Sequence, residues 1–532
     1  MFKEKLPSKY NIFLTIIGIS FFIGIWYAFP MLDVVADENY FTGSVLRSIQ
    51  NHTIIPAMGD VPYGVITYLV NYILIAFSLI GFLLFFKFDV SALKDYLIQS
   101  PEFIYIFPRL LSAMLGIVIL FTLNNFLKKE VEDIKSKILL LTVTFTNMLT
   151  VFMLHTGKVW ILSMTFLTIS FYYLYKAIEY NQTPKYNINK YIFISILCSL
   201  LATINFSLFG FSLINILILL YLFRKNKQIQ KSIIKYSFLA GLITAIFASL
   251  TFKDITKLLV DVFTFMNPVL DKNIVDTRIN LSIPEEMWLN IKKILAFFPI
   301  HIILILLSIK NKIKNKKLFI LSIIYFIVYF LFISSIATWP TKIEAFARYM
   351  FPFGFLLTFI LMSLNIKFTK LHYTLGGISI ISLIFAMTFI SIPTSYNLTR
   401  DWIIENLNQD KTIVVNKIHG LELPKNKDSY YTYQDYYCAT KCKNTIKNNI
   451  NNHIKYITID LHSKKEDYES SYTNIYYITK EKSTESNLNL IKSFAEDGID
   501  NFELDGRMGN YFDLDFFRIK MFGPDIYIYK KI

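Results

Sequence analysis

The chain has 532 residues, of which 54% are hydrophobic and 17% aromatic, a share too apolar for a soluble globular enzyme of any core size. Its formal net charge is +15, but the lysines and arginines sit in short runs between apolar stretches instead of forming one basic patch, which argues against a nucleic-acid partner. The remaining class is a polytopic α-helical membrane protein.

A helix crossing the hydrocarbon core needs about 20 apolar residues, because every backbone amide must be satisfied inside the segment. Such runs lie near 11–30, 66–86, 103–126, 138–154, 159–177, 191–223, 233–252, 294–309, 318–337, 347–365 and 372–392. The 191–223 run is either one tilted helix or two short ones turning near Asn205, so the expected count is about 11 to 13. The first run, Asn11 to Pro30, follows Lys3, Lys5 and Lys9 and has no small-residue cleavage site after it, so it reads as a retained helix.

Loop lysines and arginines resist translocation and set the expected orientation. Arg224, Lys225, Lys227 and Lys231 mark one cytoplasmic loop; Lys310, Lys312, Lys314, Lys316 and Lys317 mark a second, and Lys367 with Lys370 a third. Alternation then puts the N-terminus inside, and places the acidic loop 31–63, the loop 253–293, the loop 338–346 and everything after about residue 393 outside. The cell membrane is the expected location.

The acidic loop contains Asp33-Val-Val-Ala-Asp-Glu-Asn-Tyr40, and Asp37-Glu38 are its most informative residues. After them, Tyr40, Phe41, Val45, Leu46 and Ile49 fall on one side of a helix with Arg47 on the other, as in a helix lying in the interface. That would hold the two carboxylates at headgroup depth. Further along, Arg109 reads as a structural anchor at an inner helix end, His155 and Lys158 as a turn between two apolar runs, and His301 as a packing residue. Asp33 and Asp60 share the acidic loop, but no His/Cys/Asp spacing specifies a metal.

Residues 1–392 thus form the transmembrane domain, and 393–532 change character. Short apolar runs at Thr412–Val415, Ile454–Ile459 and Asp525–Tyr529, separated by polar clusters, read as strands of a small α/β domain opened by a helix over Arg400–Leu407. Cys438 and Cys442 could close a small disulfide loop there or remain a free pair.

Taken in order, these residues resemble the glycosyltransferase C superfamily, in its protein O-mannosyltransferase and lipid A aminoarabinose transferase branch. The resemblance rests on Asp37-Glu38 after the first helix, Phe107-Pro-Arg-Leu-Leu-Ser-Ala113, Arg348-Tyr-Met-Phe-Pro352 and Thr399-Arg-Asp-Trp-Ile-Ile-Glu-Asn406, and spans residues from about 10 to 407. The chain departs from the family at Gly59-Asp-Val-Pro-Tyr63, which lacks a Pro-Pro pair, and after His155–Trp160, where no acid follows.

The resemblance implies transfer of a sugar from a polyprenyl-phosphate donor to an acceptor hydroxyl at the outer face, with inversion. Asp37 would be the general base and Glu38 would orient hydroxyls, or the pair would hold a divalent cation. The leaving phosphate needs cationic partners, for which Arg348 is the first candidate, with Tyr349 beside it and Lys342 second. No other cofactor is implied, and the acceptor could be glycan, lipid or protein. The rival readings are a transporter or flippase, a surface-polysaccharide ligase or polymerase, and a non-catalytic sensor.

Overall fold

The computed structural model describes residues 8–31, 38–55, 64–100, 102–180, 187–251, 283–311, 313–336, 347–366, 368–418, 420–426, 451, 453–460, 472–494 and 521–532. Of the described residues 71% are helical, and a small sheet lies towards the C-terminus. Among the described residues, 7 helices are long and apolar enough to cross a membrane, or up to 9 if each of two bent pairs is one span. By helix length and composition it is a membrane protein.

Most apolar runs are helical, but the first, expected as a helix over 11–30, is α-helical only to Ser20 and then continues in turns, and α2 and α4 lie outside the runs: α1 (Ser8–Ser20), α2 (Glu38–Gln50), α3 (Val65–Phe85), α4 (Val90–Gln99), α5 (Glu102–Glu130), α6 (Ile134–Phe145), α7 (Met148–Leu154) and α8 (Trp160–Glu179). There follow α9 (Ile188–Asn205), a 3-10 segment (Ser207–Leu213), α10 (Ile214–Leu222), α11 (Lys227–Thr251), α12 (Ile283–Phe297), α13 (Pro299–Ile309), α14 (Lys316–Ile336), a 3-10 turn (Ala347–Met350), α15 (Phe351–Ser363), α16 (Lys370–Ser391) and α17 (Ser395–Asn406). The long 191–223 run breaks at Asn205, the second of the two expected arrangements. The expected count exceeds the observed one partly because α10 with its 3-10 segment, and α15 with its own, are too short to pass a length test.

Two single runs are broken. α6 and α7 bend by 66° at Thr146–Asn147, and α12 and α13 by 90° at Phe298. A break in an apolar interior frees backbone polar groups that must find partners. Asn147 supplies them at both places: its Oδ1 accepts from Leu149 N and Thr150 N to cap α7, and its Nδ2 donates to Phe297 O at 2.8 Å. Pro299 opens α13, where no backbone donor is required. The loop expected over 253–293 is therefore corrected: residues 283–293 belong to α12, and 252–282 lie outside the described residues.

α1 and α5 run antiparallel, with Tyr10 Oη donating to Asn124 Oδ1 (2.6 Å) near one end and Arg109 Nη1 to Ile25 O and Tyr27 O (2.9 and 2.8 Å) at the other. The Tyr10 end carries the lysines. There Tyr175 Oη donates to Glu130, Asn315 bridges Glu130 and Tyr175, Lys314 meets Glu132, and Lys129 meets Glu179. The bundle thus has a lysine-rich end and, opposite it, the end bearing Glu38. Between them the core is aromatic, with the Phe171 ring stacked on Phe359 at 4.2 Å.

The C-terminal sheet has strands β1 (Thr412–Asn416), β2 (Ile457–Asp460), β3 (Asn474–Thr479), β4 (Leu488–Phe494) and β5 (Ile526–Lys531) in the order β2-β1-β3-β5-β4. β1 is parallel to both β2 and β3, while β5 is antiparallel to β3 and β4. The three expected strands and the opening helix are present. β3 and β4 had not been anticipated, β4 because its residues are largely exposed and polar.

This domain docks on the Glu38 end. Asn397 Nδ2 donates to Phe29 O (2.6 Å), Phe522 packs against Phe389 (5.3 Å), and Ser395 N donates to Phe522 O (2.8 Å). Gly523 makes the last contact possible: its φ is +98°, and a Cβ there would lie 2.0 Å from Ser395 Oγ. Gly523→Ala is expected to cost at least about 1–3 kcal/mol from backbone strain alone and to loosen the sheet from α17. Limited proteolysis of the full chain reads this as faster cleavage within 395–532; an unchanged digestion rate would show that the contact is dispensable.

Candidate functional site

The site is built where four stretches converge. α1 ends at Ser20, and the chain then proceeds through turns to Met31, leaving carbonyls at Ile25 and Tyr27 without helical partners. Glu38 opens α2 and is fully buried. Arg109, in the second turn of α5, is fully buried as well. The fourth stretch, His155 to Val159, links α7 to α8.

Arg109 grips Glu38 with two parallel bonds, Nε to Oε1 at 2.8 Å and Nη2 to Oε2 at 2.7 Å. Its Nη1 donates to Ile25 O and Tyr27 O, and the guanidinium carbon lies over the rings of Tyr27 (4.6 Å) and Phe29 (4.2 Å). Four of the five guanidinium N–H donors are thereby engaged, which a buried arginine requires. Glu38 Oε1 accepts a third bond from Gly157 N at 2.6 Å. One buried ion pair therefore ties together the end of the first helix, the acidic loop, α5 and the α7–α8 connection.

Gly157 is the tightest point. A Cβ there would meet Pro108 Cβ at 2.6 Å and Glu38 Oε1 at 3.0 Å. Ser112 Oγ donates to Thr156 O (2.6 Å), holding the same turn from the other side. Gly157→Ala should push the turn off Glu38 and cost about 1–3 kcal/mol, as overpacking does. Thermal unfolding in detergent measures it, and an unchanged midpoint would mean that the turn relaxes freely.

Three residues after Gly157, the Trp160 ring packs on Tyr349 (5.8 Å) and edge-on to Phe206 (4.7 Å). Tyr349 O accepts from Tyr329 Oη at 2.6 Å, which fixes the 3-10 turn carrying Arg348. Arg348 and Tyr349 are thus held at the Glu38 end, connected to it through Trp160 and the Gly157 turn. Asp37 and Lys342 lie outside the described residues, as do Asp33, Asp60, Cys438 and Cys442.

Two expectations change. Glu38 at an outer end and Arg109 at an inner one cannot both hold, since the two side chains are bonded at the same end of the bundle. Near that end Phe82 of α3 meets Phe103 (6.5 Å) at the start of α5, fewer than two turns before Arg109. The His155–Lys158 segment is a turn, as expected, but a buried one: His155 and Thr156 are fully buried and Lys158 nearly so. His301 sits beside Phe298 and Thr358 as a packing residue.

α2 is helical as expected and buries Val45, but it also turns Thr42, Ser44 and Ser48 inward, so its covered side is as polar as it is apolar. The side chains of Tyr40 and Phe41 lie outside the described residues. Among the described residues no group of three or more His, Cys, Asp or Glu side chains converges on a common point. Both oxygens of Glu38 are already engaged by Arg109 and Gly157, so the cation-holding role sketched for Glu38 would require this pair to open.

No family model matches this chain, and no curated protein or solved structure matches it either. Fold and site define the class only: a helical membrane protein with a small C-terminal sheet docked beside a buried carboxylate–guanidinium pair.

Proposed function

We propose that this protein transfers a sugar from a polyprenyl-phosphate donor to an acceptor hydroxyl, at the outer face of the cell membrane. The observation that carries the reading is the buried Glu38–Arg109–Gly157 cluster, because it anchors the residue next to Asp37. A general base works only when it is held in position, and a neighbour clamped by three hydrogen bonds supplies that without using the base itself. Asp37 takes the proton of the attacking hydroxyl. Glu38 is a positioning residue. Arg348 and Tyr349 meet the departing phosphate, where growing negative charge is best stabilised by fixed donors, and Lys342 is the second cation.

The lysine-rich end, with Lys310, Lys314, Lys316 and Lys317, is the cytoplasmic one on this reading. The C-terminal sheet then stands outside, above the acidic loop. The test is a mass-spectrometric comparison of surface glycolipids and glycoproteins from cells with and without the protein. A missing hexose or pentose on one class of molecule is the expected result, and an unchanged profile would sink the reading.

A further inference from the structure

α12 carries polar residues on its buried face, among the apolar Leu289, Ile294 and Phe297. At helical spacing, Trp288, Ile291 and Leu295 are exposed, whereas Glu286, Asn290 and Lys293 on the opposite face are buried, Glu286 to 2% and Asn290 to 1%. In water this pattern would be unstable. In lipid it is the expected one for a helix whose outer face meets acyl chains and whose inner face meets something polar.

The inner face is not fully consumed by the protein. Asn290 Nδ2 donates to Ser334 Oγ at 3.0 Å, which docks α12 against the end of α14. Glu286 Oε1 is buried with no hydrogen-bond partner among the described residues. Burying a carboxylate oxygen that accepts nothing is costly, so its retention points to a donor supplied from elsewhere. The location is relevant: α12 packs against the 3-10 turn that carries Arg348 and Tyr349, and that turn also packs against α7, just ahead of the Gly157 turn.

We propose that the inward stripe of α12 is a binding wall for a hydroxyl-rich ring, with Glu286 accepting from ring hydroxyls. This rests on the transferase reading and deepens it: the ring is the donor sugar, held by Glu286 while Arg348 meets its phosphate. Lys293, two turns from Glu286, keeps the stripe from being a net negative surface that would repel that phosphate. Asn290 is the positioning residue that sets the stripe against α14.

The experiment uses the purified full chain in lipid nanodiscs and two kinds of probe. One is bare polyprenyl phosphate; the other is a panel of polyprenyl phosphates carrying single hexoses or pentoses. Glu286→Gln is expected to weaken the best sugar-bearing carrier about tenfold or more, since a charge-assisted hydrogen bond is lost, while bare polyprenyl phosphate binds as before. The bare carrier also reports folding. If Glu286→Gln weakens both probes equally, or neither, the wall assignment is overturned while the transferase reading stands. If the unaltered chain binds neither kind of probe, both fall together.

Discussion

Asp37→Asn is expected to lower sugar transfer by about 10²- to 10⁴-fold, the range typically supplied by a positioned general base. The amide keeps the size and nearly the shape of the carboxylate but cannot take a proton from the attacking hydroxyl. Donor binding should change far less, because in the proposed mechanism the phosphate is met by Arg348 and Tyr349 and not by Asp37. The signature is therefore a fall in kcat with KM nearly kept. Initial rates with a polyprenyl-phosphate sugar in purified membranes measure it, and a near wild-type rate would remove Asp37 from the mechanism.

The second large effect concerns Arg109. Arg109→Met leaves Glu38 buried with a charge that only Gly157 N still faces, and breaking a buried pair from one side costs about 3–5 kcal/mol. It also releases the carbonyls of Ile25 and Tyr27 from their shared donor. Loss of stability and loss of transfer should then appear together. The double replacement Glu38→Gln with Arg109→Met removes both charges and should recover part of the stability, because the two sites are in direct contact and their effects do not add. Recovery of stability without recovery of transfer would separate the cluster's two roles. An Arg109→Met protein as stable and active as the original would show that the pair is incidental.

Much of the fold can be read from residue order alone. Apolar runs find most of the helices, since length and hydropathy are what lipid demands, but not α4, and they overextend α1. Composition also separates the sheet domain from the bundle. The failures share a cause, which is that polar residues facing inward lower the apolar average of a helix that is nonetheless embedded. α12 was taken for the tail of a loop for this reason, with Glu286, Asn290 and Lys293 on its hidden face. The two breaks, at Asn147 and Phe298, leave no signal in a hydropathy average, although Asn147 before an apolar heptad and Pro299 are each recognisable helix starts.

The site was half legible. Asp37-Glu38 and the Arg348 turn stand out by residue order, yet the expected placement of Glu38 and Arg109 at opposite ends fails because the two are bonded. Counting crossings treated α3 and α5 as successive traverses. The bonds from Arg109 to Glu38, Ile25 O and Tyr27 O, and the ring contacts of Phe82, Tyr96 and Phe103, depend on tertiary packing that periodicity does not encode.

The Glu38 cluster also sets an order of assembly. Glu38 is made before the groups that clamp it, since Arg109 and Gly157 follow it by about 70 and 120 residues. A nascent chain that has inserted only α1 and α2 carries the Glu38 carboxylate without the bonds that place it. A chain that stalls before α8 therefore holds Glu38 with an incomplete clamp.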